Sequence, residues 1–578
     1  MSQIQPRELK TVVTKDPIVD FCEEVFIVEK SASNNQDFPV VSNNYSSSQT
    51  SFTINLNSRD AVLDRNFVIQ QPLSLTVSLA TPLASGPILI PNHWSFRDFP
   101  INRMASTITL SIGNVSVTAQ VSDLTGALAR TFISDNTKYT AQGNSITMQE
   151  QTKYISNGIN SSRSPYNQFN SGGLDNVVPR GAYDCAITTS GSASQTETIN
   201  TTLYEPLFIS PLIKSLKERV QGFSHLTQIL VNITWASDPA RMIAINNSNV
   251  NLVTNPYRLE LVWGQPRFVL TQYTDPLMIP PSVISYAYNM TDRYTTDFQT
   301  PADNNNFSTF SVATQNVQLS SIPKYCLIYA QPNFNVLKPQ IASHFLPIQS
   351  LQLNFNNVTY LSSADAPTLY KYSVQNGVDM SWAQWSGLAL SNNFRIPTVG
   401  SVLCLAFGQQ IPLPSQFAPS TSVKCNISAN VQFYNQDGYT SNELPQQTGT
   451  IVRDYTLYMA FVYDNSVSLF GSNSGSTATA CLSEVDVLQA QKESPQVHYG
   501  ELNTHGFGGK MDNFVTSGKL KSFLRGGKVH SGAMSKAESS VMDAMGEGVA
   551  TRFAEYIGQG MTGGKRMSRA SMKKHLLG

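Results

Sequence analysis

A stretch near residue 110 alternates between apolar and polar side chains and then reverses direction at a two-residue turn. In STITLSIGNVSV, the apolar residues Ile108, Leu110 and Ile112 fall on one face, and serine and threonine fall on the other. The alternation resumes after Gly113-Asn114. A period of two broken by Gly-Asn is typical of a β-hairpin, because glycine reaches the positive φ that the turn needs. A lone hairpin is barely stable in water, so its apolar face predicts a partner sheet and a sandwich.

A second hairpin pattern occurs later in the chain. Leu351, Leu353 and Phe355 alternate with polar residues, and Asn356-Asn357 provides the turn, which begins 243 residues after the first one. Long strand-rich runs precede the two hairpins, at Val62–Ala80 and Ser308–Pro332. The pattern indicates the same all-β unit written twice.

Changes in composition suggest four segments. Residues 1–20 are predicted to be an N-terminal arm, 21–275 the first β unit, 276–500 the second, and 501–578 a basic tail, with the proline-rich Asp275–Pro281 between the units. The first unit is predicted to begin with strands at Phe21–Val28 and Ser51–Leu56, joined by an Asn/Ser-rich loop. Helical periodicity is nearly absent before residue 500.

Two segments differ from the strand-rich remainder. Residues 134–180 have almost no apolar periodicity but contain tyrosines, which favours an ordered, exposed excursion that contacts a neighbouring subunit or a ligand. Residues 501–578 are rich in glycine and carry 12 Lys and Arg against 6 Asp and Glu, a net charge of +6. Within this tail, Ser535–Ile557 has apolar residues four apart, which predicts one short helix in an otherwise disordered segment.

The whole chain has 578 residues, no net charge and only 13% charged residues, about half of what an ordinary domain carries. Asn, Gln, Ser and Thr supply the polarity, which suits close assembly. The six cysteines form no C-x₂-C pair, so we expect buried free thiols and no zinc site. The sequence contains no run of 18 apolar residues, so we expect no membrane span. The N-terminus does not resemble a signal peptide.

The motifs of common active sites are missing. The seven histidines form no H-x-x-x-H pair, and neither a phosphate-binding G-x-x-x-x-G-K-[ST] loop nor a G-x-S-x-G turn occurs. We therefore expect no enzyme and no catalytic, cofactor or metal site. Trp382 and Trp385 could form a sugar-stacking platform, although core or rim packing is the commoner role of two such aromatics. Arg97-Asp98 and Asp64-Arg65 are interpreted as local ion pairs that fix loops.

Several stretches, taken together, resemble the major capsid proteins of virophages and Polinton-like viruses. They occur in the same order over about residues 20–500 and consist of packing and turn residues: VLDRNFVIQQP (62–72), FRDFPI (96–101), the first hairpin, VPRGAYD (178–184), LYEPLFISPL (203–212), IPPSVISYAY (279–288), NVQLSSIPK (316–324) and YSVQNG (372–377).

The resemblance implies a fold of two tandem eight-stranded jelly rolls, a double jelly roll. It also implies a homotrimer that forms a pseudo-hexameric capsomer, tiles an icosahedral shell around a DNA genome and contacts penton and minor capsid proteins. Such a protein would be assembled inside the host cell and located in the virion capsid.

Some members of this group lose a C-terminal segment to a viral cysteine protease that prefers an aliphatic residue or Met two positions before Gly-Gly. Gly527-Lys528 and Gly564-Lys565 follow such sequences and are candidate processing sites. Before cleavage, the basic tail could bind viral DNA. The alternative from another class is a β-sandwich carbohydrate-binding or receptor-attachment spike protein, which would use Trp382, Trp385 and the 134–180 segment to bind glycans.

Overall fold

A computed structural model describes residues 35–131, 185–273, 283–435 and 454–488, with internal gaps at 57–61, 66, 85, 90–93, 98, 190–194, 213–221, 224–225, 246–251, 253–254, 302–307, 334–338, 340–343, 392–393, 398, 415, 471–473 and 480–486. The predicted arm, the Phe21–Val28 strand, the Asp275–Pro281 boundary, the 134–180 excursion and the 501–578 tail lie outside the described residues.

The first half of the chain folds into two facing antiparallel sheets. Its strands are β1 (Asn35–Val41), β2 (Asn44–Tyr45), β3 (Gln49–Asn55), β4 (Val62–Leu63), β5 (Val68–Leu79), β6 (Trp94–Phe96), β7 (Ala105–Ile112), β8 (Val115–Ala119), β9 (Cys185–Thr189), β10 (Thr196–Pro206), β11 (Gln228–Trp235), β12 (Ile243–Ile245), β13 (Tyr257–Trp263) and β14 (Arg267–Tyr273). One sheet has the order β1-β14-β5-β10-β9 and the other β2-β3-β11-β7-β8. Both β13 and β14 pair with β5, so they act as one interrupted strand.

The second half repeats this arrangement. Its strands are β15 (Val283–Gln299), β16 (Thr309–Ala313), β17 (Val317–Leu319), β18 (Tyr325–Pro332), β19 (Ile348–Phe355), β20 (Val358–Asp365), β21 (Leu388–Ser391), β22 (Phe394–Pro397), β23 (Leu403–Ala406), β24 (Cys425–Tyr434), β25 (Asp454–Phe470) and β26 (Ser474–Thr479). The sheets have the orders β15-β25-β18-β23 and β16-β24-β19-β20.

The two halves share one topology. When the eight principal strands of each half are lettered B to I in chain order, both halves give one sheet with the order B-I-D-G and one with the order C-H-E-F. This is a jelly roll written twice, so the predicted double jelly roll is confirmed, and both units have all eight strands. Each unit has its own buried apolar cluster between its sheets.

The two hairpins recognised in the sequence are the E–F hairpins of the two jelly rolls. Ile112 pairs with Val115 across the first turn, where Gly113 has a φ of +60°. In the second, Asn356 and Asn357 have φ of +49° and +61°, the pattern of a type I′ turn. Period-two alternation buries one face of each strand, and Ile108, Leu110 and Ile112 are almost fully buried.

One sequence-based expectation was wrong. Strand B of the first jelly roll is β1, inside the stretch interpreted as an Asn/Ser-rich loop. Pro39 does not prevent this, because β1 pairs with β14 alone among the described residues and proline is tolerated at a sheet edge. The described helices before residue 500 are few and short, in agreement with the near absence of helical periodicity there: α1 (Pro100–Met104), α2 (Thr125–Thr131), α3 (Ala366–Gln375), α4 (Trp382–Trp385) and a 3₁₀ turn (Pro239–Arg241).

In each jelly roll a helix follows strand F. Helix α2 follows β8, and α3 follows β20 directly, with Asp365 as its N-cap accepting a hydrogen bond from the Thr368 amide. These two helices are equivalent in topology.

Candidate assembly site at the contact between the two jelly rolls

Helix α2 belongs to the first jelly roll by sequence but is buried against the second. Ala127, together with Leu124 just before the helix, packs in the apolar cluster of the second jelly roll, whereas Ala129 packs in the cluster of the first. The helix therefore has one face on each core and joins them.

The outer face of the B-I-D-G sheet of the second jelly roll receives the turn before α2, and Phe345, whose ring packs on Tyr329, receives the helix itself. Tyr329 on β18 pairs with Tyr458 on β25, and Gln331 pairs with Thr456. The Tyr329 hydroxyl and the Gln331 side-chain amide both donate to the backbone oxygen of Asp123, at 3.0 and 3.1 Å. Every residue of β18 after Tyr325 is buried, which means that both faces of this strand are covered.

Small residues let the helix approach closely. A Cβ on Gly126 would lie 3.1 Å from Cζ of Phe345, so this position has little spare room. The Arg130 guanidinium lies over the Phe345 ring, 5.4 Å from its centroid, and donates to the Gly126 oxygen at 2.7 Å. The Asp379 amide of the second jelly roll donates to the Arg130 oxygen at 2.8 Å.

Charged groups complete the contact. Asp123 forms an ion pair with Arg293 on β15, with a separation of 2.8 Å, and Arg293 also donates to the Gln120 side chain. Burial lowers the pKa of Arg241 nearby, while the negative charge of Asp123 raises it. Burial disfavours the charged form of a tyrosine as well, so it raises the pKa of Tyr329 and of Tyr458. Both therefore remain neutral hydrogen-bond donors. These interactions fix one jelly roll against the other.

A second connection joins the units next to the ion pair. The Asn289 amide on β15 donates to the Ser210 hydroxyl of the first jelly roll at 2.9 Å, and Tyr288 packs in the apolar cluster of the first unit. The N-terminal half of β15 therefore contributes to both units.

The aromatic pair singled out in the sequence lies beside α3. Trp385 is fully buried, and its indole N–H donates to the Val402 oxygen at 2.8 Å. Trp382 stacks on Trp385 with ring centroids 6.0 Å apart and remains 43% exposed. This is the core and rim packing expected of two such aromatics, with Tyr370 against both rings.

The two arginines singled out in the sequence hold loops. The Arg97 side chain is fully buried and donates to the Ala240 and Ile243 oxygens at 3.0 and 3.1 Å, while Asp98 lies outside the described residues. Arg65 donates to the Pro211 oxygen and lies over the Phe223 ring. The predicted ion pair with Asp64 stays a prediction.

Two buried carboxylates that the sequence did not reveal also hold loops. Glu197 on β10 accepts from the Ile88 and Leu89 amides, both at 2.8 Å. Glu205 accepts from the Ile101 and Asn102 amides at 3.0 and 3.1 Å. These groups anchor chain segments more than 100 residues away, which is a structural use of buried charge.

The expected free thiols are found at Cys326, Cys404 and Cys425, which are buried and unpaired. Across the described ranges, no cluster of three or more His, Cys, Asp or Glu has the arrangement of a metal site. Within those ranges, too, no helix is both long enough and apolar enough to span a bilayer.

The outer faces of both C-H-E-F sheets have an unusual composition. In their described strands, Asp365 at the end of β20 is the one charged outward residue, and most of the others are Ser, Thr, Asn or Gln. The first face holds Ser51, Thr53, Thr107, Thr109, Ser111, Ser116, Thr118, Leu230, Asn232 and Thr234. The second holds Thr309, Ser311, Ala313, Ser350, Gln352, Asn354, Thr359, Ser428, Asn430, Gln432 and Tyr434. Cross-strand hydroxyl pairs such as Thr109–Thr118 (3.0 Å) satisfy these groups locally.

Comparison with known proteins agrees with this architecture. The model of the first domain of the Sputnik virophage major capsid protein matches residues 7–259, and the model of the major capsid protein V20 C-terminal domain matches residues 291–448. The chain belongs to the virophage major capsid protein family. A putative capsid protein V20 of Sputnik virophage is 25% identical over an alignment of 606 residues, gaps counted, and the alignment covers 98% of each chain.

Solved structures of virophage capsid proteins share the fold of this family member. It is similar to a chain of the cryo-EM structure of the Sputnik virophage, with a TM-score of 0.68, 25% identity, and coverage of 81% of this chain and 92% of that one. The mavirus major capsid protein shares the fold, with a TM-score of 0.64, 15% identity, and coverage of 81% and 95%. The virophage major capsid protein described here thus has a structural role in a virion capsid.

Proposed function

We propose that this capsid protein forms a homotrimer in which six jelly rolls make a pseudo-hexameric ring, and that these capsomers tile an icosahedral shell around a DNA genome. The observation that carries the proposal is the repetition of one B-I-D-G/C-H-E-F topology within a chain whose two copies are joined through α2. Three chains with two similar units each approximate six-fold symmetry, which allows hexagonal packing.

The contact within the chain favours a ring. It is heterologous, since α2 of the first unit packs on a different surface, the B-I-D-G face of the second. Head-to-tail contacts of this kind generate closed rings when the rotation per unit allows it.

The C-H-E-F faces, whose one charged outward residue in the described strands is Asp365, suit contacts between neighbouring capsomers. Four strands of eight residues give each face about 500 Å², at about 4.8 Å per strand and 3.4 Å per residue. Contacts of this size are individually weak. With so little charge, such faces meet neighbours with little repulsion, and reversible contacts allow errors in a lattice to be corrected during growth.

The test is the mass and outline of the purified full-length chain. Light scattering should give about three times the 63.4 kDa of one chain, and negative-stain images should show particles with a hexagonal outline. A monomer or dimer at micromolar concentration would contradict the trimer.

A glycan array on the same sample tests the spike alternative. That alternative requires specific glycan binding that the Trp382→Ala substitution removes.

The tail is proposed to act in packaging and maturation. Its charge of +6 per chain would bind the DNA genome by counterion release, so the affinity of the tail for DNA should fall steeply with salt.

Cleavage by a maturation cysteine protease is proposed after Gly527 or Gly564, before Lys528 or Lys565. Intact-mass analysis of capsid protein from virions tests this, because a chain that still ends at Gly578 would exclude both cleavages. Penton and minor capsid proteins are the further proposed partners in the shell.

A further inference from the structure

Strand β15 forms a long open edge of the second jelly roll. Its 17 residues pair with β25, and within the described part of the chain no other strand pairs with it. The unpaired side of such a strand presents backbone N–H and C=O groups with which a strand of another chain can pair. The equivalent strand of the first jelly roll, β1, has only seven residues and contains Pro39, which lacks an N–H group. Strand β15 contains no proline, so its edge is open to pairing unless another feature opposes it.

The sequence of β15 favours pairing between chains. Its first part, Val283–Met290, contains no charge, no proline and no glycine, and half of its residues are β-branched or aromatic. Stretches of this kind pair readily with copies of themselves when their edge is open. Protein sequences commonly flank such stretches with charged residues, and in β15 the first charges are Asp292 and Arg293. Arg293 forms the ion pair with Asp123, so Asp292 is the charge that remains to be explained.

Asp292 lies near the middle of β15, on the face that points into the second jelly roll. Side chains alternate between the two faces of a strand, so the even-numbered residues of β15 share one face. Two of them, Met290 and Phe298, pack against the apolar cluster of the second jelly roll. Asp292 itself pairs with Phe461, a fully buried member of that cluster. The carboxylate therefore lies at the margin of an apolar core, on a strand with one unpaired edge.

The surroundings of Asp292 do not compensate its charge. Among the described residues it has neither a hydrogen-bond partner nor an ion-pair partner, and partial burial alone raises its pKa. The titratable groups that face it are Tyr294 on the same strand and Tyr463 on β25, with Cys326 and Cys425 beyond Tyr463. Burial, and then the negative charge of Asp292, raise the pKa of both tyrosines, and none of these groups is a cation. The ionised carboxylate therefore destabilises the jelly roll that contains it.

We propose that Asp292 protects the open edge of β15 and keeps this strand from pairing with a strand of another copy of the chain. A second strand on this edge would remove the water that still solvates the carboxylate, and the loss of water from an unpaired charge is strongly unfavourable. An inward-pointing charge on an edge strand is one of the ways in which β-sheet proteins prevent edge-to-edge association. A capsid protein accumulates at high local concentration, where wrong pairing between edges competes with productive contacts.

The first test is Asp292→Asn in the full-length chain. Removal of the uncompensated charge should raise the thermal midpoint at pH 7 by about 2 °C or more. It should also lower, by about tenfold or more, the concentration at which species larger than the wild-type assembly appear in light scattering, since 1.4 kcal/mol is tenfold in affinity. Infrared spectra of these species should show added intermolecular β-structure.

The matched control is Asp297→Asn, on the same strand but on its opposite face. The Asp297 carboxylate accepts hydrogen bonds from the Thr456 hydroxyl at 2.6 Å and from the Asn333 side-chain amide at 3.3 Å. This substitution removes the same charge from the chain, but it should neither raise the thermal midpoint nor promote association. Equal behaviour of the two variants would assign the effect to net charge and would overturn the inference.

The pH dependence separates the charge of Asp292 from its shape. Because the pKa of Asp292 in the folded chain lies above its ordinary value, the destabilisation is present above that pKa and disappears as the pH falls through it. The difference in thermal midpoint between Asp292→Asn and the wild type should therefore be largest at pH 7 and vanish on acidification. A difference that does not change with pH would contradict the role of the charge.

The last test moves the charge along the same face. Tyr294→Asp, added to Asp292→Asn, restores a carboxylate two residues away and should restore the resistance to association, with circular dichroism showing that the variant is folded. If the folded double variant associates as readily as Asp292→Asn, or if Asp292→Asn lowers the midpoint or dissociates the wild-type assembly, the inference is wrong. These outcomes do not depend on whether the wild-type assembly is a trimer.

Discussion

Gly400 is the position at which the backbone leaves the least room for a side chain. Its φ is +94°, and a Cβ built on it would lie 1.8 Å from the backbone oxygen of Phe345. The close approach accompanies a pair of hydrogen bonds, from the Phe345 amide to Val399 and from the Gly400 amide to Gln384. Phe345 also supports α2, so this glycine acts on the contact between the jelly rolls.

We predict that Gly400→Ala lowers the free energy of unfolding by more than about 3 kcal/mol, because the backbone must shift in addition to adopting an unfavourable φ. Gly86→Ala is the matched control: Gly86 has a similar φ of +87°, but nothing lies within 4 Å of its added Cβ. The control should cost only the φ penalty of about 1–2 kcal/mol. Urea unfolding curves measure both values, and equal losses would contradict the steric explanation.

The buried thiols give a second prediction for single residues. Burial raises the pKa of Cys404 to about 12 and of Cys425 to about 11, and it raises the pKa of Cys326 as well. Since the thiolate is the reactive form, all three should stay unmodified by iodoacetamide at pH 8 in the native protein and react fully in denaturant. Peptide mass spectrometry after labelling tests this, and rapid native labelling of any of them would show that its strand opens.

Among the secondary-structure elements, those with a local sequence signal could be predicted, and those stabilised by distant partners could not. The E–F hairpins were predictable because alternation and turn residues lie within a dozen positions. Helix α2 has only seven residues, and all of them except Leu128 are buried, so no amphipathic pattern marks it. Strand β1 contains Pro39 and polar residues, and its identity comes from pairing with β14, more than 200 residues away.

The loop anchors on β10 illustrate the same limit. No sequence pattern links Glu197 to Ile88 and Leu89, whose amides it binds across more than 100 residues. We predict that Glu197→Gln costs about 2–3 kcal/mol of stability, because the amide group of glutamine can accept at only one of the two positions and its NH₂ group would face an N–H donor. Thermal unfolding should show the loss. Glu197→Asp, which keeps the charge but shortens the side chain, should lose less than Glu197→Gln if the charge matters more than the reach.

At the scale of the whole molecule, the chain uses its two kinds of sheet differently. The contact with α2 and the turn before it covers the outer B-I-D-G face of the second jelly roll, where Tyr329 and Tyr458 are buried. Apart from Asp365 at the end of β20, the outer C-H-E-F faces of both units carry no charge in their described strands. The low charge of the sequence, 13%, is therefore not spread evenly, and the sequence alone could not show that the uncharged residues share a face.

This division of surfaces predicts that capsomer formation and shell formation can be separated by mutation. Asn232→Lys and Asn430→Lys each place a positive charge at the centre of a C-H-E-F face, away from α2, α3 and the B-I-D-G sheets. Two such faces that meet in a shell would then carry a charge that must be desolvated or repelled, which costs several times the free energy of one weak contact. Light scattering of each variant should still show the trimer, whereas electron microscopy of assembly reactions should show far fewer closed shells. Asn232→Gln and Asn430→Gln keep the faces neutral and should assemble like the wild type. Normal shells from both lysine variants would assign contacts between capsomers to other surfaces, and loss of the trimer would place these faces inside the ring instead.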